Sequence, residues 1–177
     1  MLCYGMDFVQ NNIQRGHSRF EQHVIPLLVA NGWPDASKWQ CMAGTDLDTK
    51  HGIDYMVGKT PVAARIWDGY PKQHFGVRWY NTKHPERRFE LTKLLELWAN
   101  NEQMPQYTIE AHTHNGRVYV SVCQTRELVQ IIANHHPELP QFLVNNAGGD
   151  WAVFVRVGFD LFAPDGLKKF IGAAGQS

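Results

Sequence analysis

The segment from residue 45 to residue 67 constrains the fold of this chain more than any other. An acidic, polar turn comes first, and an apolar run that carries Asp54 near its start follows it. Gly58 separates this run from a second apolar run, which holds one cation, Arg65. Short apolar runs on either side of a glycine-containing turn are typical of paired β-strands. We therefore predict a β-hairpin with an acid on one strand and a cation on the next.

The rest of the chain alternates between helical and strand-like patterns. Apolar spacing predicts helices over residues 9–31, 84–100 and 125–134, and a short closing helix over 165–172. Strands are predicted over residues 39–42, 53–57, 62–67, 75–80, 107–112, 117–123 and 153–162, and a polar loop over 135–150. This order favours a mixed α+β fold of the α/β type, in which helices flank a central mixed β-sheet. Without repeats or linkers, residues 1–177 are expected to form one domain.

The composition favours a soluble, cytoplasmic protein. Hydrophobic residues make up 44% of the chain, and no apolar run reaches the roughly 18 to 20 residues that cross a bilayer. Cys3, Cys41 and Cys123 are odd in number and far apart, which favours reduced thiols over disulfides. The first residues lack a basic segment followed by an apolar core, so we expect no secretory signal.

The charges are unevenly distributed although the formal net charge is zero. Residues 59–93 contain eight cations and three acids. We predict that a phosphate-binding face lies here, formed by Lys72, Arg78, Lys83, Arg87 and Arg88. A solvated basic surface is the alternative. Aromatic residues between these cations would either stack on bases or fill the core. Zero net charge argues against a strong, nonspecific nucleic-acid binder.

Several other chemistries lack a basis in the sequence. It has no Gly-x-Gly-x-x-Gly or Gly-x-x-x-x-Gly-Lys motif for nucleotides and no Gly-x-Ser-x-Gly nucleophile. His112 and His114 stand two residues apart at the end of a predicted strand, so they face one side and would be able to share a metal. The alternative is an exposed hairpin tip at Asn115-Gly116.

The hairpin and the helix after it resemble a known family. Gly52-Ile53-Asp54 on one strand and Val62-Ala63-Ala64-Arg65-Ile66 on the next are similar to the core of the PD-(D/E)XK superfamily. The resemblance covers about residues 9–123. It implies a restriction-endonuclease-like fold and nucleic acid, DNA or RNA, as the partner.

The resemblance also implies roles for individual residues. In this family a divalent cation held by carboxylates assists phosphodiester hydrolysis. Asp54 matches the first acid of the motif, Arg65 matches its lysine, and Glu21 matches an acid that some members supply from the first helix. The implied catalytic residues are therefore Asp54, Arg65 and Glu21. The implied ligands of Mg²⁺ or Mn²⁺ are Asp54 and Glu21, and Asp48 from the acidic turn is added as a further candidate ligand.

Two departures from the motif leave the activity open. Ala63 stands where the second acid is expected, and it cannot bind a metal. Arg65 stays protonated and cannot act as a base, although it can hold a phosphate. Asp54 would then need help from Glu21, Asp46 or Asp48 to make a metal site; the alternative is that Asp54 is a structural acid paired with Arg65. We predict a nuclease-like protein with a degenerate site. One alternative is an inactive member of the fold that binds a protein, as inhibitors from viruses or mobile elements do; another is an ordinary structural domain.

Overall fold

The computed structural model describes residues 14–146 and 150–174. Apart from short 3-10 turns, these residues form four helices: α1 over residues 14–30, α2 over Asp46–His51, α3 over Glu90–Ala99 and α4 over Thr125–His135. The strands of the same part are β1 Trp39–Cys41, β2 Tyr55–Val57, β3 Thr60–Asp68, β4 His74–Asn81, β5 Tyr107–His114, β6 Arg117–Gln124, β7 Gln141–Asn146, β8 Asp150–Gly158 and β9 Leu167–Ala173. None of the described helices is both long enough and apolar enough to span a membrane.

Six strands form the first sheet, in the order β1-β2-β3-β5-β6-β9. β3 and β5 run parallel, and the other neighbouring pairs are antiparallel. The predicted hairpin is present as β2 and β3, with Tyr55 opposite Val62. The predicted fold class, a central mixed sheet with helices on its faces, is confirmed.

The two faces of the first sheet have different roles because neighbouring side chains on a strand alternate. Val62 on β3 and Ile109 on β5 are buried against α1, which contributes Phe20 and Leu28 to the same apolar cluster. α1 continues through Pro26 after a π-helical turn over Phe20–Val24. The predicted start of this helix, residues 9–13, lies outside the described residues. The opposite face of the sheet carries the charged residues.

The strand predicted over residues 75–80 is not in the central sheet but in a second sheet, in the order β4-β8-β7. β3 lies between β2 and β5, so it has no free edge for β4. Phe75 and Val77 of β4 then pack with α3, α4 and β8 in a second apolar cluster. This sheet and the two helices cover the charged face of the first sheet.

Three further predictions are wrong. The helix expected from His84 begins at Glu90, because residues 85–88 offer no large apolar side chain to bury. The polar loop expected over residues 135–150 contains β7, which pairs with β8. The closing helix expected over residues 165–172 is the strand β9, which pairs with the outer edge of β6.

Candidate functional site

A cleft of about 480 Å³ lies where the first sheet meets β4, α2 and α3. The carboxylates among its described lining residues are Asp48, Asp54, Glu90 and Glu110. The cations among them are Arg65, Arg78, Arg88 and Lys93. A mixed set of this kind can neutralise itself or bind charged ligands, and the contacts of each group decide between these roles.

Asp54 lies immediately before β2, and backbone hydrogen bonds fix its position. Its N–H donates to the Val62 carbonyl at 2.9 Å, and the Ala64 N–H donates to its Oδ2 at 2.8 Å. Burial raises the pKa of Asp54 to about 7. The bond from Ala64 opposes this rise, and the charges of Asp48 and Glu90 add to it. The carboxylate is therefore desolvated and lies near other negative charges.

Asp48 reaches the cleft from a short helix, although the sequence predicted an acidic turn there. The Thr45 hydroxyl accepts a hydrogen bond from the Asp48 N–H and caps α2. Gly52, with φ 66°, ends the helix in a left-handed conformation, and the chain then turns to Asp54. Asp48 Oδ2 accepts a hydrogen bond from the Gly44 N–H at 2.8 Å. The helix and the turn after it thus place Asp48 and Asp54 along the same cleft.

Arg65 pairs with Glu90, so the alternative interpretation, in which Asp54 is its structural partner, is wrong. Arg65 also donates to the Gly76 carbonyl at 2.5 Å. Desolvation alone would lower the pKa of Arg65, but the charges of Glu90 and Glu110 outweigh it and raise that pKa. The guanidinium is therefore held in place and stays charged.

Two carboxylates accept hydrogen bonds from backbone N–H groups on the free edge of β4. Glu110 Oε2 accepts from the Gly76 N–H at 2.8 Å, and Glu90 Oε2 accepts from the Arg78 N–H at 3.2 Å. Unpaired backbone groups at a buried edge are costly, so these contacts stabilise the second sheet against the first. Glu90 and Glu110 therefore have structural roles, whereas neither cleft aspartate contacts β4 through a hydrogen bond among the described residues.

The two histidines that were considered as a possible metal pair have different surroundings. His112 is buried, and its Nε2 lies 3.3 Å from Glu110 Oε1 without the geometry of a hydrogen bond. His114 lies at the hairpin tip, where its ring packs edge-on against Tyr70 at 5.5 Å. The Asn115-Gly116 turn itself has the positive φ angles expected of a tight hairpin.

The predicted nucleic-acid-binding residues do not all lie on one surface. Arg78 and Arg88 line the cleft. Lys72 lies beyond it, and its Nζ is 4.6 Å from the centre of the Phe142 ring. Lys83 and Arg87 are exposed and are not among the cleft residues.

Glu21 lies on the exposed side of α1 and does not line the cleft. Glu21 instead acts on Tyr55: burial and then the Glu21 charge raise the pKa of the Tyr55 hydroxyl. The same hydroxyl is hydrogen-bonded to His17 Nδ1 at 3.0 Å.

Glu90, Glu110 and Lys93 line the cleft but were not predicted as site residues from the sequence. Glu110 had a usable signal, since it is a lone acid within a strand that otherwise alternates apolar residues with polar ones. Glu90 directly precedes the apolar stripe of α3, where an acid is ordinary at a helix start. Lys93 Nζ donates to the Thr49 carbonyl at 2.5 Å, a contact between α3 and α2 that no local pattern predicts.

The donors partly fit a hydrated divalent cation. Among the described residues, no group of three or more His, Cys, Asp or Glu side chains is arranged to hold a metal. Mg²⁺ needs only one or two protein carboxylates because it keeps several waters. Asp54 is such a carboxylate, and Asp48 is close enough for its charge to raise the pKa of Asp54.

Fold and cleft together define an α+β protein with a charged cleft between two β-sheets. No family model and no curated protein matches the chain. One solved structure, described as "Restriction endonuclease in complex with substrate DNA", is similar with a TM-score of 0.41 and 11% identity. The match covers 73% of this chain and 59% of that chain, so the present sequence spans about three fifths of its length.

Proposed function

We propose that this protein is a nuclease-like protein of the PD-(D/E)XK type, which binds nucleic-acid phosphates in the cleft and hydrolyses a phosphodiester with Mg²⁺ or Mn²⁺. The observation that carries the proposal is the convergence of Asp54 and Arg65 on one cleft. Asp54 lies immediately before β2 and Arg65 lies on β3, and the side chain of each is held by a hydrogen bond to a backbone group.

The proposed roles follow from the contacts of each residue. Asp54, with Asp48, would hold the cation, which would supply Lewis-acid activation of the phosphate and of water. Asp48 is kept as a ligand in this proposal because it lines the cleft, whereas Glu21 is left out because it does not. Arg65 is charged and fixed by Glu90, so it would orient a phosphate oxygen and would not take up a proton.

A second candidate function is the inactive binding protein. Ala63 lines the cleft where the motif has its second acid, and Glu90 occupies the guanidinium of Arg65. Both observations favour a protein that has the fold but no catalytic activity, and that uses its own surface to bind another protein.

The test is a cleavage assay on single- and double-stranded DNA and on RNA, with Mg²⁺, Mn²⁺ or EDTA. Replacing Asp54 with asparagine should lower the cleavage rate by about 100-fold or more, since about 2.7 kcal/mol of transition-state stabilisation is lost. Asp46→Asn is the matched control, because Asp46 is exposed and pairs with Lys50 outside the cleft.

Cleavage that survives in Asp54→Asn would contradict the assignment of this residue. If the folded native protein cuts none of the substrates with either metal, the hydrolytic function is wrong and the binding protein is favoured. Circular dichroism on each variant separates loss of activity from loss of fold.

A further inference from the structure

We propose that the second sheet extends the cleft into a track for the phosphates of a nucleic-acid strand, formed by Arg78, Lys72 and Arg156 around an aromatic floor. The floor consists of Trp67, Phe142 and Phe154. This inference rests on the proposed function in taking nucleic acid as the ligand, but it does not depend on cleavage.

The aromatic floor joins the two sheets. Trp67 on β3 packs edge-on against Phe154 on β8, with ring centroids 5.5 Å apart. Phe142 on β7 stacks on Phe154 at 5.1 Å with an interplanar angle of 22°. The floor therefore runs from the first sheet across β8 to the edge strand of the second sheet, and Trp67 lies two residues beyond Arg65 on the same face of β3.

The near end of the floor carries the arginines of the cleft. Arg65 Cζ lies 5.2 Å from the centre of the Phe154 ring, and Arg78 Cζ lies 5.4 Å from the same centre. Both arginines also line the cleft. The floor thus begins at the cleft that contains Asp54.

The far end carries two cations from different elements. Lys72 Nζ is 4.6 Å from the centre of the Phe142 ring and 5.7 Å from that of Trp67. Arg156 Cζ is 5.1 Å from the centre of the Phe142 ring. Both residues are exposed, so a ligand can reach them. Arg156 lies more than 60 residues after the basic segment, and its sequence context gave no sign of this position.

The cations of the track lack acidic partners. Within the described residues, Lys72, Arg78 and Arg156 form no ion pair with a carboxylate, whereas Arg65 pairs with Glu90. Burial and then the neighbouring Arg65 charge lower the pKa of Arg78, while the charges of Glu90 and Asp150 oppose this fall. Two donors beside the floor, Arg78 Nε and Trp67 Nε1, are also buried without a hydrogen-bond partner in the described structure.

These features fit a phosphate backbone better than bases. Unpaired lysine and arginine side chains bind phosphates and fix the position of a strand without reading its sequence. One face of Phe142 stacks on Phe154, and cations lie against the rings of the floor, so these rings offer little free surface for base stacking. We therefore expect binding that is independent of sequence.

The test is fluorescence anisotropy with labelled single-stranded DNA, duplex DNA and single-stranded RNA, in EDTA and over a range of salt concentrations. Lys72→Gln and Arg156→Gln keep part of the aliphatic stem and remove the charge. Each should weaken binding several-fold and reduce the slope of log K against log salt by about one, and the double variant by about two. Lys72→Arg should retain the native affinity and slope.

Lys38→Gln and Arg126→Gln are matched controls, since both residues are exposed and make no contact with the floor among the described residues. Unchanged affinity and slope in both track variants would overturn the inference, and so would equal losses in the controls. Dependence on Lys72 and Arg156 without any cleavage in Mg²⁺ would support the track and contradict the hydrolytic function. Cleavage by the native protein, together with unchanged binding in the track variants, would support the hydrolytic function and contradict the track.

Discussion

Replacing Asp54 with asparagine is expected to stabilise the protein by about 2 to 4 kcal/mol at pH 8 and to change its stability little at pH 4. Burial raises the pKa of Asp54 from 3.8 to about 7 in the folded state. At pH values below 3.8 the carboxyl is protonated in both states. As the pH rises towards 7, the unfolded chain ionises more readily than the folded one, so native stability falls. Asparagine cannot ionise and avoids this loss.

Urea unfolding at several pH values between 4 and 8, in EDTA, measures this effect. The difference in unfolding free energy between Asp54→Asn and the native protein should grow with pH over that range. Asp46→Asn should show no such growth, because Asp46 is exposed and already paired with Lys50. A difference that stays constant with pH would contradict the desolvated state of Asp54. Stabilisation together with lost cleavage would mark Asp54 as a residue retained for function.

Replacing Glu110 with alanine is expected to destabilise the protein by about 3 kcal/mol. Glu110 is buried, with 5% of its surface exposed, and it accepts the hydrogen bond of the Gly76 N–H on β4. Its charge also helps to keep Arg65 ionised. Alanine would leave a buried N–H without an acceptor and Arg65 with less compensation.

Chemical denaturation at pH 7 tests this prediction. Glu110→Gln should recover part of the loss, because the amide oxygen can accept the same bond without the charge. Glu102→Ala is the control at an exposed site, with an expected change within about 0.5 kcal/mol. Equal effects of alanine at positions 102 and 110 would show that Glu110 does not hold β4 in place.

The local sequence pattern was sufficient to predict the central part of the fold. The alternation in β3 separates Arg65 from the apolar residues that face α1, and the Asn115-Gly116 turn fixes the β5–β6 hairpin. Both features depend on residues within a few positions of one another. For the same reason the hairpin that carries Asp54 and Arg65 could be predicted.

The second sheet could not be predicted in this way. The pairing of β4 with β8 joins residues about 80 positions apart, such as Phe75 and Val157, and no local pattern records it. The ion pair between Arg65 and Glu90 and the approach of Arg156 to Phe142 depend on the same long-range arrangement. The sequence therefore predicted the part of the site that is formed by residues close together in the chain. It did not predict the part that is formed by residues brought together only in the tertiary structure.

The pairing of β4 with β8 also has a consequence for synthesis of the chain. The charged groups of the cleft all precede residue 111, but the strand that secures β4 spans Asp150–Gly158. During translation, a nascent chain that ends before residue 150 already contains both aspartates and Arg65 but lacks the partner that positions β4. Long-range strand pairing is slow to form, and the N-terminal part of a chain leaves the ribosome first. We therefore expect the cleft to be completed late, after most of the polypeptide has emerged.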